Sequence, residues 1–119
     1  MKPNNKQNDE SEDEFYFRIA DKYHLSSHWV MPNIENFDNV ACAAGPTTMQ
    51  YGQGNIHLPQ RALTWLDIWI AGEAAMYADA LWNGEDVELV NIAGFQRNGD
   101  VLVLTVVEHG DPIPDALQN

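Results

Sequence analysis

Positive charge is scarce in this chain of 119 residues, which has three lysines (Lys2, Lys6, Lys22) and three arginines, only Arg61 and Arg97 lying beyond position 22. Eighteen carboxylates set the net charge at −12. After position 22 twelve acidic residues face those two arginines, so this stretch alone carries −10 with the histidines neutral. Nucleic-acid binding depends on Lys and Arg that neutralise phosphates, and anionic membranes attract the same residues, so direct contact with either is not expected. The field favours a basic protein surface, with long-range steering that weakens in salt. Solubility alone is the competing explanation of the same acidity.

Cysteine is nearly absent as well. Cys42 stands alone, which excludes an intramolecular disulfide and leaves a thiolate metal site without its other ligands; a buried, inert thiol is the expectation. No stretch approaches the roughly 20 uninterrupted apolar residues that cross a bilayer, and the polar N-terminus lacks the apolar segment of a signal peptide, so a cytoplasmic protein is expected. The three serines (Ser11, Ser26, Ser27) sit in none of the nucleophile motifs, and P-loop, His-Glu-x-x-His and Cys-x-x-Cys patterns are missing. Gly52-Gln53-Gly54 opens like a dinucleotide fingerprint, but His57 occupies the third glycine position and Pro59 follows. His24 and His28 are four apart, a metal-ligand spacing on a helix, whereas on a strand they would stand roughly 13 Å apart. No acid lies between Lys22 and Glu35 to complete a shell, and His57 and His109 are isolated. No catalytic residue, metal or cofactor is therefore expected.

What is present is enough for one folded domain. Hydrophobic residues make up 45% of the chain and charged residues 20%, a globular balance. Residues 1–14 have no apolar side chain after Met1 and end in five carboxylates, which predicts a disordered acidic leader ahead of a single domain over 15–119. Phe15, Tyr16, Phe17 and Ile19 predict a strand or short packed segment. Tyr23, Leu25, Trp29 and Met31 share one parity and predict a half-buried strand over 23–31, ended by Pro32. Residues 40–44 form a small apolar stretch, and Gly45-Pro46 is a turn before another possible strand over 48–58.

The clearest helix is predicted over 59–82, from a proline at its first turn to the stop at Asn83-Gly84. Leu63, Leu66, Ile70, Tyr77 and Leu81 gather on one side, and Gly72 implies either close packing or a bend. Asn98-Gly99 then predicts a hairpin between 87–97 and 100–109, with Phe95 opposite Leu102 and Ala93 opposite Leu104. Both hairpin faces are largely apolar, so Val101 to Val107 should be central in the sheet and covered on both sides. The tail, 110–119, is expected to be extended and peripheral. The fold class is α+β: a small single domain in which an antiparallel sheet with a C-terminal hairpin packs against one long helix.

Candidate site residues follow from the exceptions to these patterns. Glu73 projects into the apolar sector of the helix, where a carboxylate needs a partner: a backbone amide, a tyrosine hydroxyl, a pocket or an interface. Trp65, Trp69 and Trp82 cannot all lie at the centre of one stripe, and aromatics left at a rim anchor interfaces. Glu85, Asp86 and Glu88 form an acidic cluster just past the helix stop. These seven residues are the expected partner-binding set. Together they suggest a small acidic inhibitor-type protein, such as an immunity protein, an antitoxin or a nucleic-acid mimic, that neutralises a basic partner such as a toxin or a nucleic-acid-binding enzyme. A ligand pocket or enzyme site between helix and sheet is the second reading, and a homodimeric structural or chaperone-like protein the third.

Overall fold

The computed structural model describes residues 3–108. Its elements run α1 (Glu12–Lys22), β1 (Val40–Cys42), β2 (Thr48–Tyr51), β3 (Gly54–His57), β4 (Leu63–Thr64), α2 (Trp65–Asn83), β5 (Asn91–Asn98) and β6 (Val101–Val107). The result is an α+β domain in which the β5–β6 hairpin packs against the long helix α2. The main sheet has the order β3-β2-β6-β5 and is mixed, because β2 runs parallel to β6 while the other two pairs are antiparallel. A separate short pair joins β1 to β4.

The hairpin forms two residues away from the expected register. Phe95 lies opposite Leu104, and Asn98 opposite Val101, so Gly99 and Asp100 are the turn residues. Gly99 takes φ 62° at the first central position, the place glycine occupies in a II′ turn. A slip of two residues alone keeps each side chain on its face, so Phe95 stays with Leu102 and Leu104; the bulge further along then puts Ile92 opposite Val106, on the same face as Leu104. Between Ile92 and Gly94 the register shifts again at a bulge, and Ile92, Ala93 and Gly94 are all buried there. Strand β6 is central: Leu102 and Leu104 are buried on one face, while on the other Val107 is buried, Val101 and Thr105 are half-buried and Val103 is exposed.

Helix α2 starts six residues later than the proline signal suggested. Thr64 accepts from the Asp67 amide and Asp67 accepts from the Thr64 amide, a capping box that fixes the start at Trp65, and the Arg61 guanidinium clamps the Asp67 carboxylate at 2.7 and 3.0 Å. Gly84 caps the other end. One broad face of the helix, from Ile68 to Met76, is buried, whereas Ile70, Tyr77 and Leu81, expected on the inward side, are exposed. Toward the sheet, a side chain at Gly72 would meet the Leu104 and Ile92 methyls, so the glycine marks close packing. Next to it on the same face, Trp69 meets Phe37 and Trp29 at ring-centroid distances of 5.3 and 5.7 Å, and Phe37 in turn meets Phe15 of α1 at 5.4 Å. This aromatic cluster joins the N-terminal elements to the helix.

Those N-terminal elements differ most from the sequence reading. The aromatic run is helical, with Phe15, Tyr16 and Ile19 buried on one face of α1 and Phe17 turned outward. Ser11 and Glu14 make a reciprocal capping box, and Glu12, Asp13 and Glu14 sit in the first turn where the helix dipole favours negative charge. The acidic run is thus a helix start. Residues expected to be a disordered leader are held by the protein: Asn4 is 5% exposed, the Phe37 amide donates to the Asn4 carbonyl, and the Lys6 amide donates to the Glu35 carbonyl. Residues 23–31 form no continuous strand, since His24 has φ 57° and only Trp29 bridges to the sheet, parallel to Ile92. The predicted tail and His109 lie outside the described residues.

Candidate functional site

The acidic cluster beyond α2 becomes a cleft. The capped end of the helix at Gly84 turns the chain so that Glu85, Asp86 and Glu88 run along its mouth. Asp79 from α2, Glu108 from the end of β6 and Tyr51 from β2 face the same space, whose volume is about 390 Å³. Met76, Ala80, Leu89 and Val90 complete its lining, so five carboxylates surround a partly apolar floor. No Lys or Arg is among the lining residues. The Tyr51 hydroxyl records this environment: burial raises its pKa first, and the negative charges of Asp79, Glu88 and Glu108 raise it further.

Two of these groups are positioned by named contacts or register. Asp79 accepts from the Gln53 amide at 2.8 Å and from the Asn83 side chain at 3.2 Å, so the turn between β2 and β3 braces it. The Gly52-Gln53-Gly54 sequence is therefore a hairpin turn that holds an acidic side chain. Glu108 follows Val107, which pairs with Asn91, and this brings it back beside the residues that lead into β5. The hairpin register was a usable sequence signal for Glu108, but nothing in the sequence pointed to Tyr51.

The remaining expected site residues lie elsewhere. Glu73 is buried, 8% exposed, and its Oε1 accepts from the Ser26 amide at 2.8 Å, the Ser27 amide at 2.6 Å and the Ser27 hydroxyl at 2.7 Å. Of the partners considered for it, backbone amides are the ones it has. Trp69, 1% exposed, donates from Nε1 to the Ser27 hydroxyl at 3.0 Å and belongs to the core. Trp65 is half-buried between Trp29 and Phe95, at 5.9 Å from each ring. Trp82 is 73% exposed near Leu81, Gln53 and Asn55, outside the acidic cleft. The tryptophans therefore do not form one surface.

His24, His28 and His57 are exposed, Cys42 is half-buried, and among the described residues no group of three or more His, Cys, Asp or Glu side chains could hold a metal ion. No helix among them is long and apolar enough to cross a membrane. What the fold and the site define is a small α+β domain with a carboxylate-lined cleft at the C-terminal end of its long helix. In comparisons with known proteins, the chain matches no family model, no curated protein and no solved structure.

Proposed function

We propose that this is a small acidic binding protein of inhibitor type, acting in the cytoplasm on a basic protein partner in the manner of an immunity protein, an antitoxin or a nucleic-acid mimic. The observation that carries this reading is the convergence of five carboxylates around one cleft without a lining Lys or Arg. Such a cleft focuses negative potential on an arriving lysine or arginine and speeds encounter. The apolar floor at Met76, Leu89 and Val90 suits the aliphatic stem of that side chain, while its charged head meets the rim. Arginine, which makes bidentate contacts to carboxylates, is the better match of the two cations.

The test begins with capture of the partner from the native host, followed by binding measurements at low and moderate salt. Replacing Glu85, Asp86 and Glu88 together by lysine should slow association and flatten the salt dependence while the far-ultraviolet spectrum stays unchanged. Binding by the parent protein that does not respond to salt at all rules out electrostatic recognition.

A further inference from the structure

The solvent side of α2 is apolar. Opposite the buried face through Ile68, Gly72, Ala75 and Met76, the helix carries Ile70, Ala74, Tyr77 and Leu81 at positions i, i+4, i+7 and i+11, which form one continuous stripe. Ile70 is 43% exposed, Tyr77 45% and Leu81 83%, and the exposed Trp82 stands beside Leu81 at the edge of the stripe. No charge interrupts it: Asp67 at its head is clamped by Arg61, and Glu73 turns inward to Ser26 and Ser27. A helix of a globular protein normally keeps its charged residues on the side away from the core, and one that is apolar on that side too is covered there. Contiguous apolar patches of a few hundred Å² mark interaction sites, whereas single exposed residues do not.

Charge and shape say what covers the stripe. A basic partner finds no carboxylate on it. Two copies of a chain at −12 repel wherever their carboxylates meet, and on this stripe none do. The spacing of four, three and four residues is that of a helix–helix seam, and it is symmetric about its midpoint. When two copies meet about a two-fold axis with these helices antiparallel, Ile70 of one lies opposite Leu81 of the other and Ala74 opposite Tyr77, so the small side chain makes room for the large one. A parallel pair sets Ala74 against Ala74 and Tyr77 against Tyr77, a gap beside a clash. The antiparallel pair also brings Arg61, at the head of one helix, level with the negative C-terminal end of the other at Gly84. We propose that the outer stripe of α2 is the interface of a homodimer in which two copies pack this helix antiparallel. The acidic cleft draws on Met76, Asp79 and Ala80, which lie off the stripe, so the dimer does not depend on what the cleft binds. Four exposed side chains make a small interface, at the low end of sizes below about 1,200 Å² in total, so the dimer should form reversibly with concentration.

Sedimentation velocity of the full chain over a range of concentrations should show a monomer–dimer equilibrium that strengthens as salt screens the repulsion between the two acidic copies. Recognition of a basic partner weakens in salt, so the dimer and the cleft respond in opposite directions. Leu81→Glu, at an exposed position, should weaken the dimer more than about tenfold by placing an unpaired carboxylate in the seam, with an unchanged far-ultraviolet spectrum. In a Cys42→Ser background, Ile70→Cys chains mixed with Leu81→Cys chains should be joined by a short thiol cross-linker. Neither should join to itself, since equivalent positions stand roughly 16 Å apart along the axis of an antiparallel pair. A monomer at every concentration overturns the proposal, as does a dimer that survives Leu81→Glu. Self-linking of either single variant overturns the antiparallel pairing.

Discussion

Glu73 Oε1 lies 2.6 Å from the Ser27 amide nitrogen and 2.7 Å from the Ser27 hydroxyl, tying the middle of α2 to a segment 46 residues earlier in the chain. The Trp69 indole N–H completes the network by donating to the same hydroxyl. Hydrogen bonds to a charged acceptor contribute about 1.5–3 kcal/mol, and a buried donor left unpaired costs a similar amount. Glu73→Ala should therefore destabilise by roughly 3–5 kcal/mol, the range for removing one partner of a buried charged network. Glu73→Gln keeps an acceptor oxygen and should cost less than half of that. Urea unfolding of the two variants checks the order; equal losses point to packing, not to the acceptor.

Two glycines of similar burial should respond differently to alanine. At Gly72 a new methyl meets the terminal methyl of Leu104 at 2.7 Å, a flexible group, and alanine recovers about 1 kcal/mol of helix propensity. The net change should stay within roughly 1.5 kcal/mol of zero. At Gly54 the methyl runs into the Ala75 carbonyl oxygen and lies 2.7 Å from the Asp79 amide nitrogen, both fixed backbone atoms of α2. Gly54→Ala should cost roughly 2–4 kcal/mol because strand and helix must separate. Thermal unfolding of both variants gives the ranking directly, and a milder loss at Gly54 contradicts the observed approach of β3 to the helix.

The N-terminal segment should contribute to stability. The Asn4 side chain donates to the Tyr23 hydroxyl at 2.6 Å and to Asp38 at 2.9 Å, Lys22 donates to Asn4, and Arg18 bonds the Pro3 and Asn5 carbonyls as well as Glu10. Deleting residues 1–10 should lower Tm by more than about 5 °C, which for a domain of this size corresponds to roughly 1 kcal/mol. A smaller change shows that these contacts are energetically idle.

The strongest local signals in the sequence led to the right kind of element but not always to its register or ends. Asn98-Gly99 located the hairpin, yet it did not distinguish which two residues turn, because glycine satisfies either position. Proline at 59 suggested a helix start, but the Thr64–Asp67 capping box satisfies more orphan amides and sets the actual one. The same box was present as Ser11-x-x-Glu14 and was masked by reading the carboxylates as disorder. Glu73 was recognisable as a misfit on its helix, whereas its serine partners, 46 and 47 residues away, depend on tertiary packing. The acidic cleft was legible in part: Glu85, Asp86 and Glu88 are neighbours in sequence, but Asp79, Glu108 and Tyr51 join them only once the helix and sheet meet.

Tyr16 gives a prediction in alkaline solution. Its hydroxyl donates to the Met31 carbonyl at 3.0 Å and accepts from the Ile34 amide at 3.4 Å. Burial pushes its pKa up to about 12 from the ordinary 10.0; the Ile34 bond opposes this, and the charges of Glu12 and Asp13 add to it. A pKa raised in the folded state means that the native protein holds the proton more tightly than the unfolded chain does. The associated stability is fully present below pH 10 and is lost as pH rises through about 12. With allowance for solvent screening it amounts to roughly 1–2 kcal/mol. Tyr16→Phe lacks the proton and loses both bonds, so it should be less stable than the parent near neutral pH. The gap should close between pH 10 and 12, as the parent ionises and the variant at this position does not. Urea midpoints of the two proteins across that interval, with tyrosinate absorbance followed in parallel, provide the measurement; a gap that stays constant shows that Tyr16 does not hold its proton through the fold.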